Sequence, residues 1–172
     1  MAETALVVLL PELEPLIGPW RCRYTGDGPR GMPPHVTLIF PFADTDEIGN
    51  RREGVARVLG AFAPFEITFR KTARFPKLLY LPPEPADGLI AMTEALADAF
   101  PEFPPYGGRF DEVVPHVTVA ESEEDEVLAG IERELVTQLP VKARVRRAWL
   151  VEKEAVGWSR RVPFPLERHT SV

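Results

Sequence analysis

The tetrapeptide Pro-His-Val-Thr occurs twice, at residues 34–37 and 115–118, and the two copies lie 81 residues apart. Each copy opens the same succession: a strand-like run, a helical stripe, then two more strand-like runs. A period of this length is too long for a solenoid array, and a chain of 172 residues has room for only two such units. The duplication therefore predicts two similar α+β lobes of antiparallel sheet, related by a pseudo-twofold axis, with helices packed outside and a cleft between. Together they form one domain over residues 1–172, each lobe contributing one motif.

Strand-like runs rich in β-branched and aromatic residues fall at 4–10, 35–42, 65–70, 77–82, 114–120, 141–152 and 157–164, each bounded by Pro, Gly or charge. Helical spacing appears in three segments, 45–62, 87–100 and 123–139, the last with a stripe of Leu128, Ile131, Leu135 and Leu139. Ser122 stands where it would cap that helix, and Pro140 ends it. The 19 prolines are roughly twice the usual ~5% share, so long helices and coiled coils are excluded in favour of short elements joined by stiff turns.

No apolar run approaches the ~18 residues a membrane-spanning helix needs, since the run from Ala5 to Leu10 stops at Pro11. The start carries Glu3 and no basic residue before Arg21, unlike a secretory signal, so a cytoplasmic location is expected. A single cysteine, Cys22, agrees with a reducing compartment and reads as a bland thiol. The net charge of −6 disfavours coating a long polyanion. Charge is nevertheless segregated: residues 121–134 sum to −6 and residues 142–168 to +5.

The chemistry concentrates in the motifs. Strand alternation puts His35 and Thr37 on one face with Val36 and Leu38 on the other, and does the same for His116 and Thr118 against Val117 and Val119. A twofold axis between two such strands brings two imidazoles and two hydroxyls into one small volume, a constellation that suits a phosphate. Breaking a P–O bond requires a proton taken from water on one side of phosphorus and a proton given to the leaving oxygen on the other. Imidazoles, with an ordinary pKa of ~6.5, hold either state near neutrality. Thr37 and Thr118 can donate to the non-bridging oxygens. Two histidines without a third and fourth ligand fit zinc poorly, no cofactor is implied, and no Gly-flanked serine supports a Ser/His nucleophile. His169 is expected in a frayed tail.

The paired motifs His35-Val36-Thr37-Leu38 and His116-Val117-Thr118-Val119 resemble those of the two-histidine phosphoesterase superfamily, in its bacterial 2′-5′ RNA ligase-like branch. The similarity extends to the opening ALVVLLPELEPL, to RFPKLLYLPPEP and to PPYGGRFDEVVPHVTVAES. It implies a bilobal α+β protein without a metal that hydrolyses 2′,3′-cyclic phosphates of nucleotides or RNA to a 2′-phosphate, with 2′-5′ joining as the reverse reaction. His35 and His116 would be the acid-base pair, Thr37 and Thr118 the phosphate ligands. A non-catalytic nucleotide or RNA-end binding module is the alternative from another class.

Where many RNA-acting relatives follow the second motif with a basic residue, this chain continues Ala120-Glu121-Ser122. That favours a nucleotide or short RNA terminus over a long RNA, with no obligate protein partner and a monomeric state. Phe42 and Tyr106 are candidates for base stacking, and Arg74 for reaching a phosphate. Alternation along 142–146 predicts an anion patch of about three charges, Lys142, Arg144 and Arg146, so lengthening an RNA substrate is expected to add little.

Overall fold

The computed structural model describes residues 3–108 and 113–168, with only the backbone of residues 106 and 107; His169 lies outside the described residues. Strand β1 (Glu3–Leu9) leads into helix α1 (Glu14–Tyr24) and then the first motif strand, β2 (His35–Ile39). Helix α2 (Ile48–Gly60) comes next, then β3 (Phe65–Phe69), β4 (Ala73–Phe75), β5 (Leu78–Leu81), β6 (Pro83–Glu84) and α3 (Asp87–Ala99). The second motif strand is β7 (Val117–Glu121), succeeded by α4 (Asp125–Leu135), β8 (Val141–Val145), β9 (Arg147–Glu154) and β10 (Gly157–Pro165).

Three predicted helices are present in shortened form. The fourth, α1, is hidden in the sequence because Pro15, Gly18 and Pro19 interrupt it. Pro15 is tolerated in the first turn, where the amide hydrogen has no intrahelical partner, and Pro19 lies on the exposed side. Ser122 does not cap α4. Its hydroxyl accepts the Glu124 N–H at 3.1 Å, closing the turn that enters the helix, and Asp125 and Glu126 supply negative charge to the first turn. The predicted 141–152 strand divides at Arg146, whose carbonyl accepts the Leu166 N–H at 2.9 Å.

All strand pairs are antiparallel, in three sheets ordered β10-β9-β1-β2, β6-β3-β8 and β4-β5-β7. The architecture is thus α+β, as expected, although the sheets do not follow the two halves of the sequence: β9 and β10 join β1 and β2, while β3 to β8 are divided between the two small sheets. Both motif strands are edge strands, and they lie beside one another in space. Helix α1 packs on β7, α3 on β2, α2 against α3 and β10, and α4 against β5.

The alternation predicted for the motifs holds. Val36 and Leu38 are buried with His35 and Thr37 half-exposed between them, and Val117, Thr118 and Val119 repeat the pattern. These four aliphatic side chains share one core with Leu6, Val8, Ile67, Phe69, Leu79 and Leu81. Each motif strand then breaks its own rule at the same place. Thr37 pairs with Val7 but Ile39 with Leu6, so Leu38 has no opposite number. Thr118 pairs with Tyr80 but Ala120 with Leu79, so Val119 has none. These matched bulges turn two consecutive residues inward, Leu38 and Ile39 in one strand, Val119 and Ala120 in the other. The half-exposed face of each strand therefore ends at the threonine.

One glycine sets how closely the β9–β10 hairpin approaches the turn at 28–31. Gly157, at φ +151°, carries the tip of the β9–β10 hairpin so close to the Arg30 carbonyl that a Cβ would collide with it. The turn at 28–31 is held over the sheet by that approach. Among the described residues no helix is long and apolar enough to cross a membrane.

Candidate active site

The two imidazoles are held in the same way. His35 Nδ1 lies 2.8 Å from the Pro33 carbonyl, and His116 Nδ1 lies 2.8 Å from the Val114 carbonyl. A carbonyl oxygen only accepts, so each Nδ1 carries a hydrogen and donates it, and Nε2 becomes the atom at which each ring gains or loses a proton. Both partners are two residues before the histidine, so the same local geometry is built twice from the same sequence.

Their surroundings differ. His116 stands edge-on to Phe75 and Tyr80, at 5.3 and 5.6 Å, and those two rings stack on each other at 4.4 Å. His35 instead neighbours Arg21, a guanidinium only 2% exposed. Arg21 Nη1 donates to the Thr118 carbonyl at 2.7 Å and Nη2 to the Met32 carbonyl at 3.0 Å, while its buried Nε has no hydrogen-bond partner among the described residues. Burial lowers the pKa of this guanidinium, opposed by Asp27 and other nearby acids.

Burial pushes His35 down to about 4; the Arg21 charge adds to the effect, the Pro33 carbonyl and Asp27 oppose it, and His116 lowers it a little further. His116 is also lowered by burial, with the Val114 carbonyl opposing. That the His116 charge is felt at His35 agrees with the adjacency of β2 and β7. Both shifts favour the neutral imidazole in the free protein.

Beside His35 and Thr37 is a cavity of about 280 Å³ walled by Phe40, Trp158, Asp27 and Lys153. Phe40 and Trp158 meet edge to face at 6.2 Å, and the indole N–H donates to Asp27 at 3.2 Å, which fixes the ring. A flat apolar wall with an ammonium nearby can take a base or sugar next to a phosphate.

Of the four residues expected at the site, His35, Thr37 and Thr118 fall in the two motif strands that the fold brings side by side, and His116 immediately precedes the second. Phe42 does not belong with them. It is 5% exposed and packs on Phe100 and Phe103 at 5.6 and 5.1 Å, so core packing claims it, and Phe40 two residues earlier meets the cavity instead. Arg74 is committed to another contact: its guanidinium is held by Glu132 and Asp125 on α4, with Nε donating to Glu132 at 2.8 Å. Tyr106 sits in a 3₁₀ turn, Pro105–Gly108, and its side chain lies outside the described part of the structure. Arg21 escapes a reading of the sequence because its helix does. Trp158 is legible only as one of three tryptophans in the chain. Among the described residues no three His, Cys, Asp or Glu side chains are grouped to hold a metal ion.

The sequence model of the family described as the 2′-5′ RNA ligase superfamily matches residues 9–157, a span that holds both motifs. Putative phosphoesterase GK0864 of Geobacillus kaustophilus (strain HTA426) is 31% identical over 93 residues, 51% of this chain; the match spans about half, 51%, of that relative's length. The crystal structure of E. coli LigT complexed with 3′-AMP superposes with a TM-score of 0.62 at 18% identity, covering 97% of this chain and 99% of that one. TT0787 of Thermus thermophilus reaches 0.68 at 19% identity, covering 97% and 98%. At these identities the structural likeness speaks to the fold.

Proposed function

The chain belongs to the 2′-5′ RNA ligase superfamily, and from that premise we propose that it hydrolyses 2′,3′-cyclic phosphates on nucleotides or short RNA ends, without a metal, by paired-histidine acid-base catalysis. Water attacks phosphorus in line with the 3′ oxygen. One imidazole Nε2 removes the water's proton as the new P–O bond forms, and the other delivers a proton to the 3′ oxygen as its bond to phosphorus breaks, leaving a 2′-phosphate and a free 3′-hydroxyl. Thr37 and Thr118 donate to the non-bridging oxygens as charge gathers there.

The observation that carries this reading is the matched pair of Nδ1 donations, 2.8 Å each, which leaves both Nε2 atoms as the proton-exchanging positions. A bound phosphate anion raises the pKa of both rings, so the proton that the acid needs is taken up as substrate arrives. Nucleotide binding is in keeping with the fold, since E. coli LigT has been crystallised with 3′-AMP.

Incubation with 2′,3′-cyclic nucleotides and short oligomers ending in a cyclic phosphate, in excess chelator, tests the proposal. The expected product is the 2′-phosphate. Tight binding without product would make the protein a nucleotide or RNA-end binding module, and a 2′-5′ linkage formed from the same ends would make ligation the favoured direction.

A further inference from the structure

The two motif strands are supported unequally. Strand β2 is backed by β1 and then by β9, which runs for 8 residues between two partners. The equivalent places behind β7 are taken by β5 and then by β4. Strand β4 has only 3 residues, Ala73–Phe75, with β5 on one side and no strand on the other among the described residues. So short an edge strand has few ladder bonds to hold it. It nevertheless carries Phe75, whose ring meets His116 edge-on at 5.3 Å.

We infer that Glu132 is a positioning residue for the reaction: it clamps β4 to α4, and through that strand it holds the Phe75 ring against His116 and fixes the direction in which the imidazole presents Nε2. The inference rests on the proposed acid-base role of His116 and adds the device that aims it.

Three observations carry it. First, both oxygens of the Glu132 carboxylate are engaged at β4. Oε1 accepts Arg74 Nε at 2.8 Å and also Arg74 Nη2, while Oε2 accepts the Thr72 hydroxyl at 2.7 Å. Thr72 and Arg74 stand on either side of Ala73, so one side chain of α4 grips the strand at two points. The Arg74 and Glu132 side chains are 28% and 26% exposed, and solvent therefore screens their charge-assisted bonds less than those of a bridge on the open surface. Asp125, from the first turn of the same helix, gives Arg74 a further, exposed partner.

Second, strand alternation turns that grip into placement. Arg74 points to the α4 side of β4, so Ala73 and Phe75 point to the opposite side. There Ala73 pairs with Tyr80, which in turn pairs with Thr118. On this face Phe75 stacks on Tyr80 at 4.4 Å, and both rings stand edge-on to His116. Tyr80 is fixed by its ladder to β7, whereas Phe75 is fixed only as firmly as β4 is.

Third, the imidazole needs such a wall. The Val114 carbonyl lies 2.8 Å from Nδ1, and one hydrogen bond sets a point and not the plane of the ring. The plane follows from what packs against it, here Phe75 and Tyr80 at interplanar angles of 89° and 70°. A proton-transferring group works only when held within about 10 to 20° of its productive direction.

The test is a double-mutant cycle on kcat for a 2′,3′-cyclic nucleotide, with Glu132→Ala and Phe75→Leu. Glu132→Ala should lower kcat roughly ten- to a hundredfold, the cost of a small misplacement of a reacting group, and leave KM within about twofold of wild type. Phe75→Leu should cause a loss of similar size, and the double variant little more than either alone, because both act through one ring. Glu132→Gln keeps an oxygen for Arg74 and an amide that the Thr72 hydroxyl can accept, so it should recover most of the activity. Full kcat in Glu132→Ala, a loss confined to KM, or losses that multiply in the double variant would overturn the inference. If the wild type hydrolyses no cyclic nucleotide, hydrolysis fails separately and the ring itself decides. In a proton–carbon correlation spectrum the His116 Cε1–H signal, assigned with His116→Gln, is displaced by the ring currents of Phe75 and Tyr80. Glu132→Ala should return it towards the position of an exposed imidazole, and an unmoved signal overturns the placement. Should Glu132→Ala not fold, Thr72→Val combined with Arg74→Met removes the same grip from the strand side and is held to the same outcomes.

Discussion

Arg21 Nη1 donates to the Thr118 carbonyl across 2.7 Å although 97 residues separate the two in the chain. With Nη2 on the Met32 carbonyl, one buried cation joins the backbone of the second motif to the loop entering the first. The contact serves geometry and electrostatics together: it braces strand β7 and makes a proton on His35 costly.

That charge bears on the pH dependence of activity. In the free enzyme the base must be unprotonated and the acid protonated, so kcat/KM should be bell-shaped, with apparent values that belong to the pair. Because His35 is pushed down to about 4 and His116 is lowered too, both limbs should lie below the ordinary ~6.5. Arg21→Met removes a charge that lowers His35, so the acidic limb should move to higher pH. Arg21→Lys keeps the charge and should leave that limb in place while kcat falls. Superimposable profiles for Arg21→Met and wild type would refute the electrostatic part.

Replacing either His35 or His116 by Ala should reduce kcat/KM by about 10² to 10⁴, the usual worth of a positioned acid or base. The pair acts as a unit, so the double variant should lose little more than the worse single one. Additive losses, or full activity in either single variant, would contradict the assignment.

Thr37→Val and Thr118→Val preserve shape and remove a hydroxyl. Each should cost about 2 to 4 kcal/mol of transition-state binding if it is a primary donor to the phosphoryl oxygens. The loss should appear chiefly in kcat, because the donation strengthens as charge builds. A rise in KM alone would assign the hydroxyls to uniform binding.

Stability should also depend on His35. The unfolded chain takes up its proton near pH ~6.5, whereas the folded chain does so only near 4. Between those values the unfolded state holds the extra proton, so this contribution is fully present above pH ~6.5 and is lost as pH falls towards about 4. It amounts to at most about 3 kcal/mol. Urea unfolding at about pH 7 and about pH 4.5 should show a larger drop for wild type than for His35→Gln; equal drops would contradict the depressed pKa.

Much of the site is legible in the sequence because the period of a strand is two and the motif occurs twice. The positions of His35, Thr37, His116 and Thr118 follow from those facts, and the burial of Val36 and Val117 bears out the alternation. Phe42 departs from expectation because alternation cannot be carried past Leu38, where the bulge ends it. Arg74 cannot be separated from an ion-paired arginine without knowing that α4 brings Glu132 and Asp125 to it. Arg21 depends on contacts between elements far apart in sequence, which no local pattern records. The division of 141–152 between two sheets is hidden for the same reason, since both pieces alternate correctly on their own.

The paired bulges make chain length a property of the site. Removing one residue at Leu38 or Val119 would take away the bulge and leave Ile39 or Ala120 alone in the inward position after the threonine, with one core side chain fewer and the following residues turned to the opposite face. An insertion before either histidine would exchange the imidazole with the core valine. Each half can accept new side chains over much of its surface, but the count of residues from proline to bulge must remain the same in both for the two strands to present an imidazole and a hydroxyl alike.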